Sequence, residues 1–154
     1  YLTGNLPTEL GLLTRMEELH LSSNSLGDDW EHPVTDSLPT ELGLLTSMRI
    51  LHLYKNSLKG SLPTELGLLT SMKLLSLNFN RLSFNLPTEL GLLVLMTELS
   101  LYMNELTGSL PTELSLLTSM RILNVQTNAG LCGDVPPLNM MPPPTYGTDL
   151  GSEC

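Results

Sequence analysis

Basic residues are scarce in this chain: 7 Lys and Arg stand against 16 Asp and Glu, for a net charge of −9. Nucleic-acid binding needs a basic footprint that neutralises phosphates, so this balance argues against it. Long apolar runs are missing too. No stretch reaches the roughly eighteen apolar residues that a membrane-spanning helix needs, so no membrane contact is expected of this segment. No basic segment leads into an apolar stretch, so no signal peptide is visible. Histidines number 3 and cysteines 2. There is no phosphate-cradling glycine loop, no nucleophile elbow and no His-Glu-x-x-His motif. The chain therefore reads as a non-enzyme, with no cofactor and no metal.

What the chain has in abundance is repetition. Leu-Pro-Thr-Glu-Leu begins at Leu6, Leu38, Leu62, Leu86 and Leu110; the last three intervals are 24 residues and the first is 32. A fixed period of this size marks a solenoid, in which one supersecondary unit is stacked many times and buries its apolar residues against its neighbours. Five of the acids are the Glu of this motif (Glu9, Glu41, Glu65, Glu89 and Glu113), so part of the negative charge belongs to the scaffold.

The other half of each copy reads Leu-x-x-Leu-x-Leu-x-x-Asn-x-Leu, as in Met48, Leu51, Leu53, Asn56 and Leu58. The alternation at Leu51-His52-Leu53 has the period of two of a short strand with one buried face. Equivalent strands one copy apart are expected to pair in parallel through right-handed crossovers. The recurrent Asn24, Asn56, Asn80, Asn104 and Asn128 sit where the backbone turns out of the strand. An Asn amide offers donors and an acceptor, so this column is expected to satisfy stranded backbone groups between coils. The Met column is expected to be core filler. In the return segment, Pro63 suits the entry to a short 3₁₀ or α turn that carries Leu66 and Leu69 inward.

Taken together, Leu-x-x-Leu-x-Leu-x-x-Asn-x-Leu-x-Gly-x-Leu-Pro-x-x-Leu-Gly-x-Leu resembles the plant-type leucine-rich repeat. That class occurs in receptor-like kinase ectodomains, secreted inhibitors of cell-wall-degrading enzymes and algal proteins. The resemblance implies an α/β solenoid: a right-handed superhelix with a concave parallel β-sheet and short 3₁₀ or irregular convex segments. The domain reading is a solenoid over residues 1–131, with about five repeats and an insertion at 27–36, followed by a C-terminal cap and Pro-rich tail over 132–154. The first coil lacks a paired-Cys cap, and Tyr1 falls just after the place of a preceding ladder Asn. The chain is thus expected to be an N-terminally truncated piece of a longer array. Cys132 and Cys154 both lie in the tail. Two reduced thiols are one reading; their placement at the end of a solenoid favours a disulfide, worth about 3 kcal/mol in the chain-entropy model. The resemblance points the same way, because the Cys that opens such a cap usually pairs with a later one.

The copies differ mainly in the columns that the family turns towards the concave side. Tyr54, Phe79 and Tyr102 come from successive strands, about 4.8 Å apart in a parallel sheet. With His52, Lys55, Asn78 and Met103 they form the candidate ligand-binding face, aromatic and adaptable with a cation at its edge. Ile50, Leu74 and Ile122 add apolar area. His20 and His52 are expected to be neighbours near Glu18, a polar pair rather than a metal site, since three ligands are the minimum. The insertion carries Trp30, the only Trp in the chain, as a further contact candidate. The expected function is non-catalytic recognition of a protein, peptide or glycan, in a receptor-like or secreted protein placed outside the cell or in an ectodomain. Two alternatives are a structural or oligomerisation segment of a receptor, and an ice- or surface-binding solenoid built on the Thr columns.

Overall fold

The structure is a computed structural model that describes residues 1–28 and 38–133. Trp30 and Cys154 lie outside the described residues, as does most of the insertion. The described chain winds as a right-handed solenoid with a sheet on each side of the return turn. Strands Glu18–His20, Ile50–His52, Leu74–Ser76, Glu98–Ser100 and Ile122–Asn124 pair in parallel, in chain order, to form the concave sheet. The register is one coil per step: His20 lies opposite His52, His52 opposite Ser76, and Ser76 opposite Ser100. Backbone pairing runs on past the strands, with Leu53 N–H donating to Ser76 O at 2.9 Å and Lys55 N–H to Asn78 O at 3.0 Å.

Each strand alternates as its sequence does, so Leu51, Leu53, Leu75, Leu77, Leu99 and Leu101 are buried. Leu66 and Leu69 close the core from the other side, and Met72 fills the space between. Core leucines of this kind are each worth about 1.5–3 kcal/mol of burial. The first coil differs. Leu10, Met16, Leu19 and Leu21 are only partly buried, and Leu13 is 49% exposed where its equivalent Leu45 is 1% exposed. Among the described residues, these have a stacked coil on one side only.

The outer turns are five 3₁₀ segments, Thr8–Leu12, Thr40–Leu44, Thr64–Leu68, Thr88–Leu92 and Thr112–Leu116. A proline precedes each, extended at φ −66° for Pro63, and its carbonyl accepts from the N–H three residues on. The turns stack so closely that a Cβ on Gly67 would lie 2.7 Å from both Cβ and O of Glu89. Gly11, Gly43 and Gly91 meet the next Glu in the same way. Ser115 stands at this position in the fifth turn, beyond which the described residues hold no further turn.

Two further short-stranded sheets were not legible in the sequence, where this stretch reads as an irregular return. Lys59–Gly60, Arg81–Phe84, Glu105–Ser109 and Gly130–Cys132 pair in parallel, and Thr3–Gly4 pairs with Ser25–Leu26. The Asn column aligns these segments, and once aligned their free N–H and C=O groups find partners in the next coil. Cys132 ends the four-stranded sheet and is not a free thiol.

Candidate functional site

The concave face is positioned by the turn that follows each strand. Asn80 shows how. Its Nδ2 donates to Leu77 O of its own coil at 2.9 Å and to Leu53 O of the preceding coil at 3.0 Å, while its Oδ1 accepts from Leu58 N–H at 3.0 Å. Asn56, Asn104 and Asn128 repeat the pattern, and Asn24 bonds Leu21 O and Leu2 N–H. One amide thus ties two coils, each inner Leu carbonyl accepts from two successive Asn amides, and the Leu58 N–H would otherwise be buried unpaired.

The residue before each Asn takes a left-handed conformation: φ is 58° at Ser23, 54° at Lys55, 56° at Phe79, 56° at Met103 and 56° at Thr127. This conformation is unfavourable for side chains other than Gly, Asn and Asp. The Asn bonds hold it in place, and it directs a varied side chain to the edge of the sheet in every coil.

Between these columns lies an open groove of about 420 Å³, lined by His52, Tyr54, Lys55, Asn78, Phe79 and Tyr102, together with Ser76, Glu98, Ser100 and Asn124. Phe79 and Tyr102 meet edge to face with centroids 5.2 Å apart, and Lys55 Nζ lies 5.7 Å from the Phe79 centroid. Both geometries are those of favourable aromatic and cation–π contacts. Tyr54 reaches the groove from the other side, with its ring edge-on to His52 at 5.9 Å.

A second, smaller hollow of about 190 Å³ adjoins it, lined by His20, Ser22, His52 and Tyr54. The His20 and His52 rings stack at 4.8 Å, and His20 Nε2 lies 3.2 Å from Glu18 Oε2. His52 Nδ1 and Ser22 Oγ are buried and make no hydrogen bond within the protein. Burial, and then the neighbouring His20, hold His52 below the ordinary imidazole value, against the opposing pull of Glu98 and Glu18. His52 is therefore biased towards its neutral form. Among the described residues no group of three His, Cys, Asp or Glu is placed to hold a metal ion.

Two placements differ from the sequence-based expectation. Asn78, expected to face solvent, is only 7% exposed. It is a short side chain between the larger Tyr54 and Tyr102 of the adjoining strands, so it forms floor rather than wall. Met103 is 42% exposed at the edge and does not line the groove. Glu98, Ser100, Ser76 and Asn124 belong to the same alternating columns but are less conspicuous than the aromatics. Position in a column was the signal that could have found them.

A larger hollow, about 600 Å³, runs over the outer turns and is lined mainly by copies of Leu-Pro-Thr-Glu. Its side chains are nearly the same in each coil, so it offers little to tell one ligand from another. The turn hydroxyls are also engaged: Thr64 Oγ1 donates to Glu65 Oε2 at 3.1 Å, and Thr8, Thr40, Thr88 and Thr112 do likewise with the Glu that follows them.

No protein-family model and no curated protein matches the chain. Solved structures do. A TDR receptor structure is 31% identical with a TM-score of 0.78, over 87% of this chain and 22% of that one. The ectodomain of the Arabidopsis receptor kinase HAESA, solved with a peptide hormone ligand, is 29% identical with a TM-score of 0.78, over 94% of this chain and 23% of that one. The receptor kinase SOBIR1 ectodomain of Arabidopsis thaliana is 28% identical with a TM-score of 0.75, over 87% of this chain and 68% of that one. The chain thus spans about a fifth of the length of the first two ectodomains. With its Leu and Asn columns, its parallel sheets and its 3₁₀ turns, the chain belongs to the plant-type leucine-rich-repeat proteins.

Proposed function

We propose that the chain is a non-catalytic recognition module that captures a peptide or protein segment on its concave face. The observation that carries this is the groove at Tyr54, Phe79 and Tyr102, where aromatic walls, amide and hydroxyl groups and a cation converge on a rigid sheet. Aromatic anchors around a partly desolvated centre are the usual source of binding energy at protein interfaces. Similar ectodomains have been solved with peptide ligands, which supports the ligand class. The module works in a larger receptor-like or secreted protein, outside the cell. A solenoid over 1–131 and a cap over 132–154 stapled by Cys132 and Cys154 form part of the same reading.

The double substitution Tyr54→Ala and Tyr102→Ala tests it. Peptides selected on the intact chain should lose about tenfold or more in affinity, since each ring is an interface anchor. The unfolding temperature should change little, because both side chains are half-buried and lie outside the leucine core. Unchanged affinity in the double variant removes the proposal.

A further inference from the structure

We propose that Glu98 sets the selectivity of the groove by accepting a guanidinium or ammonium group, so that the preferred peptide carries a Lys or Arg at one fixed place. This rests on the reading of the concave face as a peptide site and names the chemistry that the site selects.

The carboxylates of this chain differ in how far their acceptor capacity is used. On the concave side, Glu17 Oε2 is 3.2 Å from Arg49 Nη1, and Glu18 Oε2 is 3.2 Å from His20 Nε2. Glu98 is different. Among the described residues it accepts one bond, from Ser100 Oγ at 3.3 Å, and no basic side chain pairs with it. An ionised carboxylate has about four lone-pair sites, so most of its capacity stays open. Its place makes that capacity matter. Glu98 is half-buried, in register with Leu74 on one side and Ile122 on the other, and it lines the groove beside the aromatic pair.

Low local dielectric strengthens an ion pair formed there relative to one on an open surface. A guanidinium fits this surround better than a neutral group, because it can bind the carboxylate in a bidentate manner and lie against an aromatic face. The nearby cations are otherwise placed. Lys55 lies over the Phe79 ring, while Lys73 and Arg121 are exposed in the column ahead of the strands. His52 is held towards its neutral form, so it does not neutralise Glu98 near neutral pH.

The experiment pans a random linear peptide library against the intact chain, then titrates enriched peptides by calorimetry. The expected peptides share one Lys or Arg. They lose about tenfold or more in affinity when Glu98→Gln is made, as for truncation of a partly buried charge pair. Changing that Lys or Arg to Gln in the peptide gives a similar loss on the unaltered chain, a readout independent of whether the variant folds. Glu98→Lys should regain affinity for a peptide in which the basic residue is replaced by Glu. Peptides that depend on Tyr54 and Tyr102, yet carry no shared basic residue or ignore Glu98→Gln, overturn the role of Glu98 and leave the groove reading standing. Absence of any enriched peptide, or peptides indifferent to both sets of substitutions, overturns both.

Discussion

The outer turns and the concave strands recur in every coil, yet one region is nearly constant and the other varies. In the turn Thr64–Leu68, the Gly67 Cα faces the backbone of the next turn with no room for a Cβ, and Leu66 is buried. Two coils must fit each other there, so one solution is repeated. On the concave side the same stacking fixes only Leu75, Leu77 and Asn80. The residues between them touch solvent or the groove, and they run from His52 to Ser76 to Ser100 in a single column. The contrast shows that repetition measures contact between coils, and that function has to be sought where that contact is absent.

The most severe way to break this contrast is to remove a tie that joins successive coils. Asn80→Ala strands Leu58 N–H and removes one of the two Asn amides that donate to each of Leu53 O and Leu77 O, which keep Asn56 and Asn104 respectively. At about 1–3 kcal/mol for the stranded N–H and about 1 kcal/mol for each lost carbonyl bond, partly relieved by water, a loss of about 2–4 kcal/mol is expected in urea unfolding. Asn78→Ala, only two residues away, should cost under about 1 kcal/mol, since nothing in the core depends on its side chain. Equal costs at the two positions would mean that the Asn column is not what joins the coils.

A smaller effect should separate the turns from one another. Gly67→Ala forces Glu89 to move and is expected to cost about 1–3 kcal/mol by overpacking. Ser115→Ala, at the same point of the fifth turn, should stay within about 0.5 kcal/mol in the same assay. A tolerant Gly67 would show that close stacking does not set the identity of the turn.

The smallest expected change is a gain. Phe84 stands where the other coils have Gly4, Gly60 and Gly108; it holds φ at 68° and is 62% exposed. A left-handed conformation costs a residue with a side chain about 1–2 kcal/mol, whereas glycine adopts it readily. Phe84→Gly should therefore raise stability by about 1 kcal/mol, read as a higher unfolding temperature. A fall instead would mean that the exposed ring makes contacts worth more than the strain.

The extent to which such features could be read beforehand depended on how local they are. The buried face of Leu51 and Leu53 follows from alternation within three residues, and the inward Leu66 and Leu69 follow from the spacing of one turn. The two shorter-stranded sheets could not be read so directly, because strands as short as Lys59–Gly60 carry little alternation and become strands only when a neighbour is in register. The candidate groove was half legible. Its aromatics stood out by residue type, whereas Glu98 and Ser100 look ordinary until their bonding is known.

By itself the sequence determined the coil, its period, the buried columns and the direction in which variation points, because each follows from a pattern repeated along one chain. Tertiary structure alone decided that Asn78 is floor, that Met103 stays outside the groove, and that among the described residues Glu98 lacks a basic partner where Glu17 and Glu18 have theirs. Those outcomes depend on the size and reach of side chains from adjacent coils, 24 or 32 residues away in sequence, and only the stacked solenoid brings them together.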